Sequence, residues 1–125
     1  MLINTYDIDG VINLGDYDGL YPGEHDIIIT GRSFEEAPET YKMLLQKKIH
    51  NQVWFNPLKF YEKTRETSGQ HKGNIIKWII DQGYKHGVHF EDDEIQIEEI
   101  KKIVPDVRIV HVVSNLVDKE NVRHK

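Results

Sequence analysis

The sequence predicts an α/β fold in which a parallel sheet of about five strands is covered by helices on both faces. The main observation is that short apolar segments with strand character alternate along the chain with segments of helical periodicity. In addition, three of the predicted strands end in polar residues, as parallel strands do where they meet a ligand. The length of 125 residues fits one domain, which we expect over residues 1–114, followed by a polar tail over residues 115–125.

The first half of the chain contains three predicted strands and one helix. A mostly apolar strand begins near Leu2 and carries two acidic residues, Asp7 and Asp9, to its carboxyl end. Four glycines and a proline then predict an irregular loop over residues 10–25. The remaining elements of this half are a strand over residues 26–30, a helix introduced by the capping box of Ser33 and Glu36, and a strand over residues 53–55.

The second half continues the alternation of helices and strands. Residues 56–70 are predicted to form a polar connection, and the apolar spacing that follows predicts a helix over residues 70–81. The later elements are a strand over residues 87–90, an amphipathic helix that ends at Pro105, and a strand over residues 107–113.

The composition excludes several classes of function. Hydrophobic residues make up 38% and charged residues 30% of the chain, as in ordinary globular proteins. The absence of cysteine excludes disulfides, thiol catalysis and cysteine metal sites, and it fits a cytoplasmic protein. The chain has no apolar run of about 18 residues and no signal-peptide pattern. We therefore expect a cytoplasmic protein with no membrane partner.

Charge is distributed unevenly along the chain, whose net charge is -5. Residues 1–41 carry nine acidic side chains and one basic one, whereas residues 42–86 carry nine basic and three acidic side chains. A basic middle segment could attract an anionic substrate toward acidic ligands of a metal. Solvated helix faces would explain most of these lysines equally well.

Asp7 and Asp9 form the most informative short motif. Residues i and i+2 of a strand point to the same side, so the two carboxylates lie near each other where the strand ends. Two adjacent carboxylates repel unless a cation bridges them or one keeps its proton. The first case makes a site for a hard cation and the second makes a general acid. A surface turn would explain the motif equally well if it stood alone.

Three predicted strands bring functional groups to the same edge of the sheet. The groups are the Asp7 and Asp9 pair, Thr30, and the acidic run over residues 91–93. Since the carboxyl ends of parallel strands share one edge, and ligands bind beyond it, these groups are expected to converge on one site.

Four motifs follow one another along the chain: the Asp7 and Asp9 pair, Thr30, Lys72, and the acidic run over residues 91–93. Their types and their order resemble the motifs of the haloacid dehalogenase superfamily of phosphohydrolases. The resemblance covers roughly residues 2–113 and implies a three-layer, Rossmann-like fold. It also implies that Asp7 is the nucleophile, Asp9 the general acid and base, and Thr30 the hydroxyl that binds phosphate. Lys72 would be the cation of the third motif and Asp92 the acidic residue that holds Mg2+. The resemblance thus implies a Mg2+-dependent phosphatase acting through an aspartyl-phosphate.

The same resemblance implies a composite metal site. Mg2+ would be held by Asp7, the backbone carbonyl of Asp9, and Asp92, with Glu91 or Asp93 as a possible further ligand. The acidic residues are contiguous here, whereas the family often separates them, so the resemblance does not choose between Glu91 and Asp93.

The implied substrate is a phosphorylated small molecule or a nucleic-acid end. The run Thr30-Gly31-Arg32-Ser33, together with the contiguous Glu-Asp-Asp of residues 91–93, resembles phosphatase domains of nucleic-acid end-repair enzymes. This resemblance implies that Gly31 and Arg32 help to bind the substrate. The chain has no room for a cap domain. Capless members of the superfamily act on large substrates or borrow a neighbouring subunit, so a homo-oligomer is also possible.

Simpler explanations of these residues stay open. Thr30 could end a strand, Lys72 could be a solvated residue where a helix opens, and Arg32 could be an ordinary surface arginine. The acidic run over residues 91–94 could be a helix N-terminus, which the helix dipole favours. A non-catalytic or regulatory module of the same fold, or a small-metabolite phosphatase completed by oligomerisation, remains an alternative function.

Overall fold

The computed structural model describes residues 1–113, so the predicted tail over residues 115–125 lies outside the described residues. The strands of the sheet system are β1 (Leu2–Tyr6), β2 (Asn13–Leu14), β3 (Tyr17–Asp18), β4 (Ile27–Ser33), β5 (Val53–Asn56), β6 (Lys85–Glu91) and β7 (Ile109–His111). The helices are a 3-10 turn (Phe34–Glu36), α1 (Ala37–Gln46), α2 (Arg65–Asp81) and α3 (Glu94–Ile103).

Five of these strands form one parallel sheet in the order β5-β4-β1-β6-β7. The chain builds outward from β1 to β4 and β5, and it then returns to the other side of β1 to add β6 and β7. This reversal places the topological switch point at the carboxyl end of β1, where open α/β sheets bind their ligands. The predicted α/β class and the parallel sheet of five strands are confirmed.

The two faces of the sheet pack against different helices. Along β4, Ile28 belongs to the cluster that contains Leu44 of α1, whereas Ile29 belongs to the cluster that contains Ile76 of α2 and Ile100 of α3. Adjacent residues of a strand point to opposite faces, so α1 covers one face and α2 and α3 cover the other. Each fully buried isoleucine contributes about 1.5–3 kcal/mol relative to an exposed one. The sheet, with α1 on one face and α2 and α3 on the other, is thus the middle layer of three.

Helix α2 differs from an ordinary amphipathic helix because its buried face is made largely of small and polar residues. A Cβ atom added at Gly69 would lie 2.8 Å from Cα of Gln96, and one at Gly73 would lie 3.3 Å from Cα of Ile100. The two glycines therefore let α2 approach α3 closely. Lys72, between them in sequence, is fully buried.

The prediction of an irregular loop over residues 10–25 is wrong in part, because this segment contains a small antiparallel hairpin. Asn13 pairs with Asp18 and Leu14 with Tyr17, across a two-residue turn that begins at Gly15 with φ of 71°. Glycine accepts a positive φ at this position of a tight hairpin turn without strain. Strands of two residues carry too little alternation to be read from sequence.

Helix α2 begins earlier than predicted, at Arg65 rather than at residue 70. Thr64 is its N-cap, because the Thr64 hydroxyl oxygen accepts a hydrogen bond from the backbone N–H of Thr67 at 3.1 Å. Lys72 is therefore in the interior of the helix, and the prediction that it opens the helix is wrong.

Strand boundaries differ from the predicted ones while the strands themselves are present. β4 continues past Thr30 to Ser33, β6 runs from Lys85 to Glu91, and β7 is limited to Ile109–His111. The predicted capping box is present, since the Ser33 N–H donates to Oε2 of Glu36 at 2.8 Å. None of the helices within residues 1–113 combines the length and the apolar character needed to cross a membrane.

Candidate active site

An acidic cluster lies at the carboxyl edge of the sheet, on the switch point. Asp7 follows β1, Glu91 is the last residue of β6, and Asp92 comes next. Carboxylate oxygens of these three residues lie within 4.8 Å of one another, and all three side chains are buried. β1 and β6 are hydrogen-bonded neighbours, with Tyr6 opposite Phe90, so the residues that follow in each strand are brought together by register.

Lys72 joins this cluster from α2. Its Nζ atom lies 2.8 Å from Oδ1 of Asp7 and 2.8 Å from Oε1 of Glu91, and its side chain has no solvent exposure. Three carboxylates thus gather around one ammonium in a buried place. A divalent cation bound between the carboxylates would offset their mutual repulsion. Carboxylate oxygens are the ligands that Mg2+ and Ca2+ prefer, and the cluster fits such an ion.

Gly10 is the residue that lets Asp92 reach this position. Its φ is 86°, and a Cβ atom added to it would lie 2.1 Å from Oδ2 of Asp92. The Asp92 carboxylate thus rests directly on the backbone that follows Asp9. A glycine is required here both for the backbone conformation and for the space.

Replacing Gly10 by alanine tests this arrangement. We expect Gly10→Ala to lose about 1–2 kcal/mol of unfolding free energy from the positive φ alone, and to weaken divalent cation binding because Asp92 is displaced. Gly15→Ala is the matched control, since its φ is also positive, at 71°, but its Cβ would meet nothing within 4 Å. Urea unfolding and calorimetric titration with Mg2+ measure the two effects. Equal Mg2+ affinity in both variants would contradict the role of Gly10.

The carboxylate of Asp9 is not part of the acidic cluster. Arg32 binds it with two hydrogen bonds, Nε to Oδ2 at 2.9 Å and Nη2 to Oδ1 at 2.7 Å. The guanidinium is also held by Thr40, whose hydroxyl accepts from Nη1 at 3.0 Å. The predicted metal ligand at Asp9 is its backbone carbonyl, which this ion pair does not involve, and Arg32 is not an ordinary surface arginine.

Thr30 and Gly31 lie beside this ion pair within β4. Thr30 is fully buried, and its hydroxyl accepts a hydrogen bond from the N–H of Arg32 at 3.0 Å. The carbonyl of Gly31 accepts from Nζ of Lys63 at 3.0 Å, and the same ammonium lies 2.5 Å from Oε2 of Glu36. The predicted strand-end position of Thr30 is wrong, because the strand continues for three more residues.

Lys63 is a site residue that sequence reasoning missed. It lies in the segment predicted only as a polar connection, and its side chain is fully buried beside Arg32 and the end of β4. Burial lowers the pKa of Lys63, although Glu36 and Asp9 oppose that effect. No local pattern marks a lysine in a coil segment as buried, so the sequence carries no signal for it.

Between Glu91 and Asp93, it is Glu91 that belongs to the acidic cluster. Asp93 is the N-cap of α3, accepting from the N–H of Ile95 at 2.9 Å, and it also forms two hydrogen bonds with Arg65, at 2.9 and 2.7 Å. The helix N-terminus explanation is therefore correct for Asp93, whereas Glu91 and Asp92 face Asp7.

His89 is a second residue that the sequence did not reveal. It is fully buried in β6, with Nε2 3.0 Å from Oε1 of Glu91. Burial, followed by the nearby Lys72 ammonium, lowers the pKa of His89 to about 3. The imidazole is therefore neutral at pH 7. Alternation along β6 could have indicated that it is buried, but not that it meets Glu91.

The molecule is therefore an α/β protein whose parallel sheet has, at its switch point, a buried acidic cluster and two buried lysines. Comparison of the chain with protein-family models, with curated proteins and with solved structures found no match. Its chemistry must therefore be inferred from the geometry of the site.

Proposed function

We propose that this protein is a Mg2+-dependent phosphomonoester hydrolase that acts through an aspartyl-phosphate on Asp7. The observation that carries the proposal is the contact of Asp7 with Lys72, 2.8 Å apart, inside a buried cluster completed by Glu91 and Asp92. A carboxylate with a paired ammonium at the switch point is suited to attack an anionic phosphoryl group. The resemblance to haloacid dehalogenase phosphatases assigns the same residues to the same roles.

In the first step, a carboxylate oxygen of Asp7 attacks phosphorus and the ester P–O bond breaks. Asp9, once released from Arg32, takes up a proton from solvent and gives it to the leaving oxygen, and the phosphoryl group is then bonded to Asp7. In the second step, Asp9 accepts a proton from water as the water oxygen attacks phosphorus. The bond to Asp7 breaks, inorganic phosphate leaves, Asp9 gives its proton back to solvent, and both carboxyl groups return to their starting forms.

Asp9 can serve in this way only if its contact with Arg32 opens. Both oxygens of Asp9 accept hydrogen bonds from Arg32, at 2.9 and 2.7 Å. A phosphate dianion presents the same paired acceptors to a guanidinium. We therefore expect the substrate to compete for Arg32 and to release Asp9 for proton transfer, with Thr30 and Gly31 lining the phosphate position.

Mg2+ fits the oxygen ligands of Asp7 and Asp92, together with the backbone carbonyl of Asp9. Glu91 completes the cluster while keeping its contact with Lys72. When bound, the ion would offset the repulsion between the carboxylates and a phosphate dianion. The residues of the chain then have to hold and orient the substrate.

Exposed aromatic side chains favour a nucleic-acid end as the substrate. Phe34 and Tyr61 are 63% and 77% exposed, and both belong to segments at the carboxyl edge of β4 and β5. Phe60 joins them, since its N–H donates to Glu35 at 2.9 Å and Lys63 lies 4.9 Å from its ring centre. Bases stack on exposed aromatic rings beside cationic groups, and each stacked base contributes about 1–3 kcal/mol of binding free energy.

Phosphate release from a graded set of substrates tests the proposal. The set runs from an aryl phosphate through mononucleotides to 3′- and 5′-phosphorylated oligonucleotides, each with Mg2+ and with EDTA. We expect Mg2+-dependent release, with kcat/KM at least about tenfold higher for an oligonucleotide than for a mononucleotide, as one stacked base would produce.

Aromatic variants identify the surface that the longer substrate uses. Phe34→Ala and Tyr61→Ala should remove the preference for oligonucleotides, whereas Tyr84→Ala is the matched control at the opposite edge of the sheet, where Tyr84 is also exposed. Equal rates on all substrates would instead favour a small-metabolite phosphatase. A cluster that binds Mg2+ without releasing phosphate from any substrate would favour a regulatory module.

A further inference from the structure

A continuous line of polar side chains leads away from the acidic cluster through the centre of the sheet. Glu91 contacts His89, with Oε1 3.0 Å from Nε2. Nδ1 of His89 lies 2.7 Å from Oγ1 of Thr5, and Oγ1 of Thr5 lies 2.9 Å from Nε2 of His86. Thr5 is on the central strand β1 and is fully buried, as are His89 and Glu91. Buried polar groups in such a place cost free energy unless each is hydrogen-bonded.

The direction of these hydrogen bonds follows from the contact between Lys72 and Glu91. Nζ of Lys72 can only donate, and it lies 2.8 Å from Oε1 of Glu91, so this oxygen is an acceptor. His89 must therefore donate from Nε2. Complete burial of His89 favours the uncharged ring, which has one N–H, so its Nδ1, 2.7 Å from Oγ1 of Thr5, accepts from the Thr5 hydroxyl. The Thr5 oxygen then accepts from Nε2–H of His86.

We infer that His86, Thr5 and His89 form a one-way hydrogen-bond chain that ends on Glu91 and positions it, and through it Lys72, against Asp7. Every donor in the chain points toward the acidic cluster. Its importance for turnover rests on the proposed function, whereas the direction of the chain does not. Thr5 and His89 are thus positioning residues, since neither touches the reacting atoms.

The contacts of Glu91 explain why such a chain is needed. Oε1 of Glu91 accepts from both Lys72 and His89, at 2.8 and 3.0 Å, and Oε2 accepts from the N–H of Asp93 at 3.4 Å. His89 therefore provides the second anchor of the oxygen that holds Lys72. Hydrogen bonds to an ionised group are about twice as strong as neutral ones, and each step polarises the next.

The far end of the chain lies near the amino ends of β1 and β6. His86 lines a surface cavity together with Tyr84 and Arg108. Burial, followed by the influence of His89, lowers the pKa of His86 to about 4. His86 is therefore neutral at pH 7, as the direction of the chain requires.

The tautomers of the two histidines provide the first test. We expect the 15N spectrum of the wild-type protein at pH 7 to show both His86 and His89 protonated at Nε2 and unprotonated at Nδ1. Single His86→Gln and His89→Gln variants assign the signals. An Nδ1–H tautomer or a doubly protonated ring at position 89 would overturn the chain.

Thr5 provides the second test, because it can be changed without altering its shape. Thr5→Val removes the hydroxyl and breaks both central hydrogen bonds, and Thr5→Ser is the matched variant that keeps them. Since loss of a partner that orients a metal ligand typically costs 10–100-fold, we expect Thr5→Val to lose about tenfold in kcat and in Mg2+ affinity. KM should stay within about twofold, and Thr5→Ser should restore both quantities.

The outcomes separate this inference from the proposed function. If no substrate releases phosphate, the proposed function fails, but the ring tautomers and calorimetric Mg2+ affinities of the two Thr5 variants still decide on the chain. A Thr5→Val variant with the kcat and Mg2+ affinity of the wild type would overturn the positioning role. A loss that Thr5→Ser fails to restore would do the same, because packing alone would then explain it.

Discussion

Asp7→Asn is expected to lower kcat by at least about 10⁴-fold while the protein stays folded. The amide cannot act as an anionic nucleophile, and the other carboxylate in contact with Lys72, Glu91, belongs to β6 rather than to the end of β1. The fold should persist because Lys72 keeps its second partner, Glu91, 2.8 Å away. Phosphate release under saturating Mg2+ measures the loss, and urea unfolding confirms the fold.

Asp16→Asn is the matched control for that experiment. Asp16 is exposed in the turn between β2 and β3, so the same chemical change there should leave kcat unaltered. A labelled phosphoryl group should be trapped on wild-type protein by rapid acid quenching and should be missing from Asp7→Asn. Turnover that survives in Asp7→Asn would exclude Asp7 as the nucleophile.

Lys72→Met is expected to lower the free energy of unfolding by about 3–5 kcal/mol in the absence of a divalent cation. The buried ammonium is 2.8 Å from both Asp7 and Glu91, so its removal takes away the charge that offsets the repulsion between these two carboxylates. Methionine fills a similar volume, which keeps the packing term small. Urea unfolding in EDTA measures the loss of stability.

Mg2+ should recover part of this loss, because it binds the folded cluster and not the unfolded chain. The stabilisation by Mg2+ should therefore be larger in Lys72→Met than in the wild type. Lys77→Met on the same helix is the matched control, since Lys77 is exposed with Asp81 3.4 Å away, and we expect a change within about 0.5 kcal/mol. A loss below about 1 kcal/mol in Lys72→Met would mean that the cluster is not charged as described.

The fold was predictable to a large extent because its signals are local. The alternation of apolar segments and helical spacing predicted the parallel sheet of five strands. The capping box at Ser33 marked the start of a helical segment correctly. By contrast, the sequence did not predict the hairpin at Gly15 or the early start of α2 at Arg65, because two-residue strands and a polar first turn carry no periodic pattern.

The part of the candidate site that was predictable consists of residues whose position depends only on where a strand ends. Asp7 and Asp92 were placed at one edge of the sheet by the rule that parallel strands share their carboxyl ends, and the structure brings them together. The rule could not choose between Glu91 and Asp93, nor reveal that the Asp9 carboxylate turns to Arg32.

The sequence by itself determined which strands form the main sheet and which helices cover it, because dihedral preference and periodicity act over a few neighbouring residues. The tertiary structure alone decided which partners the buried charged side chains contact. Lys63 reaches Gly31 across 32 positions and Lys72 reaches Glu91 across 19, through register between strands and the close approach of α2 to α3. Such contacts depend on how distant elements pack, and burial then makes each of these electrostatic contacts stronger than it would be in water.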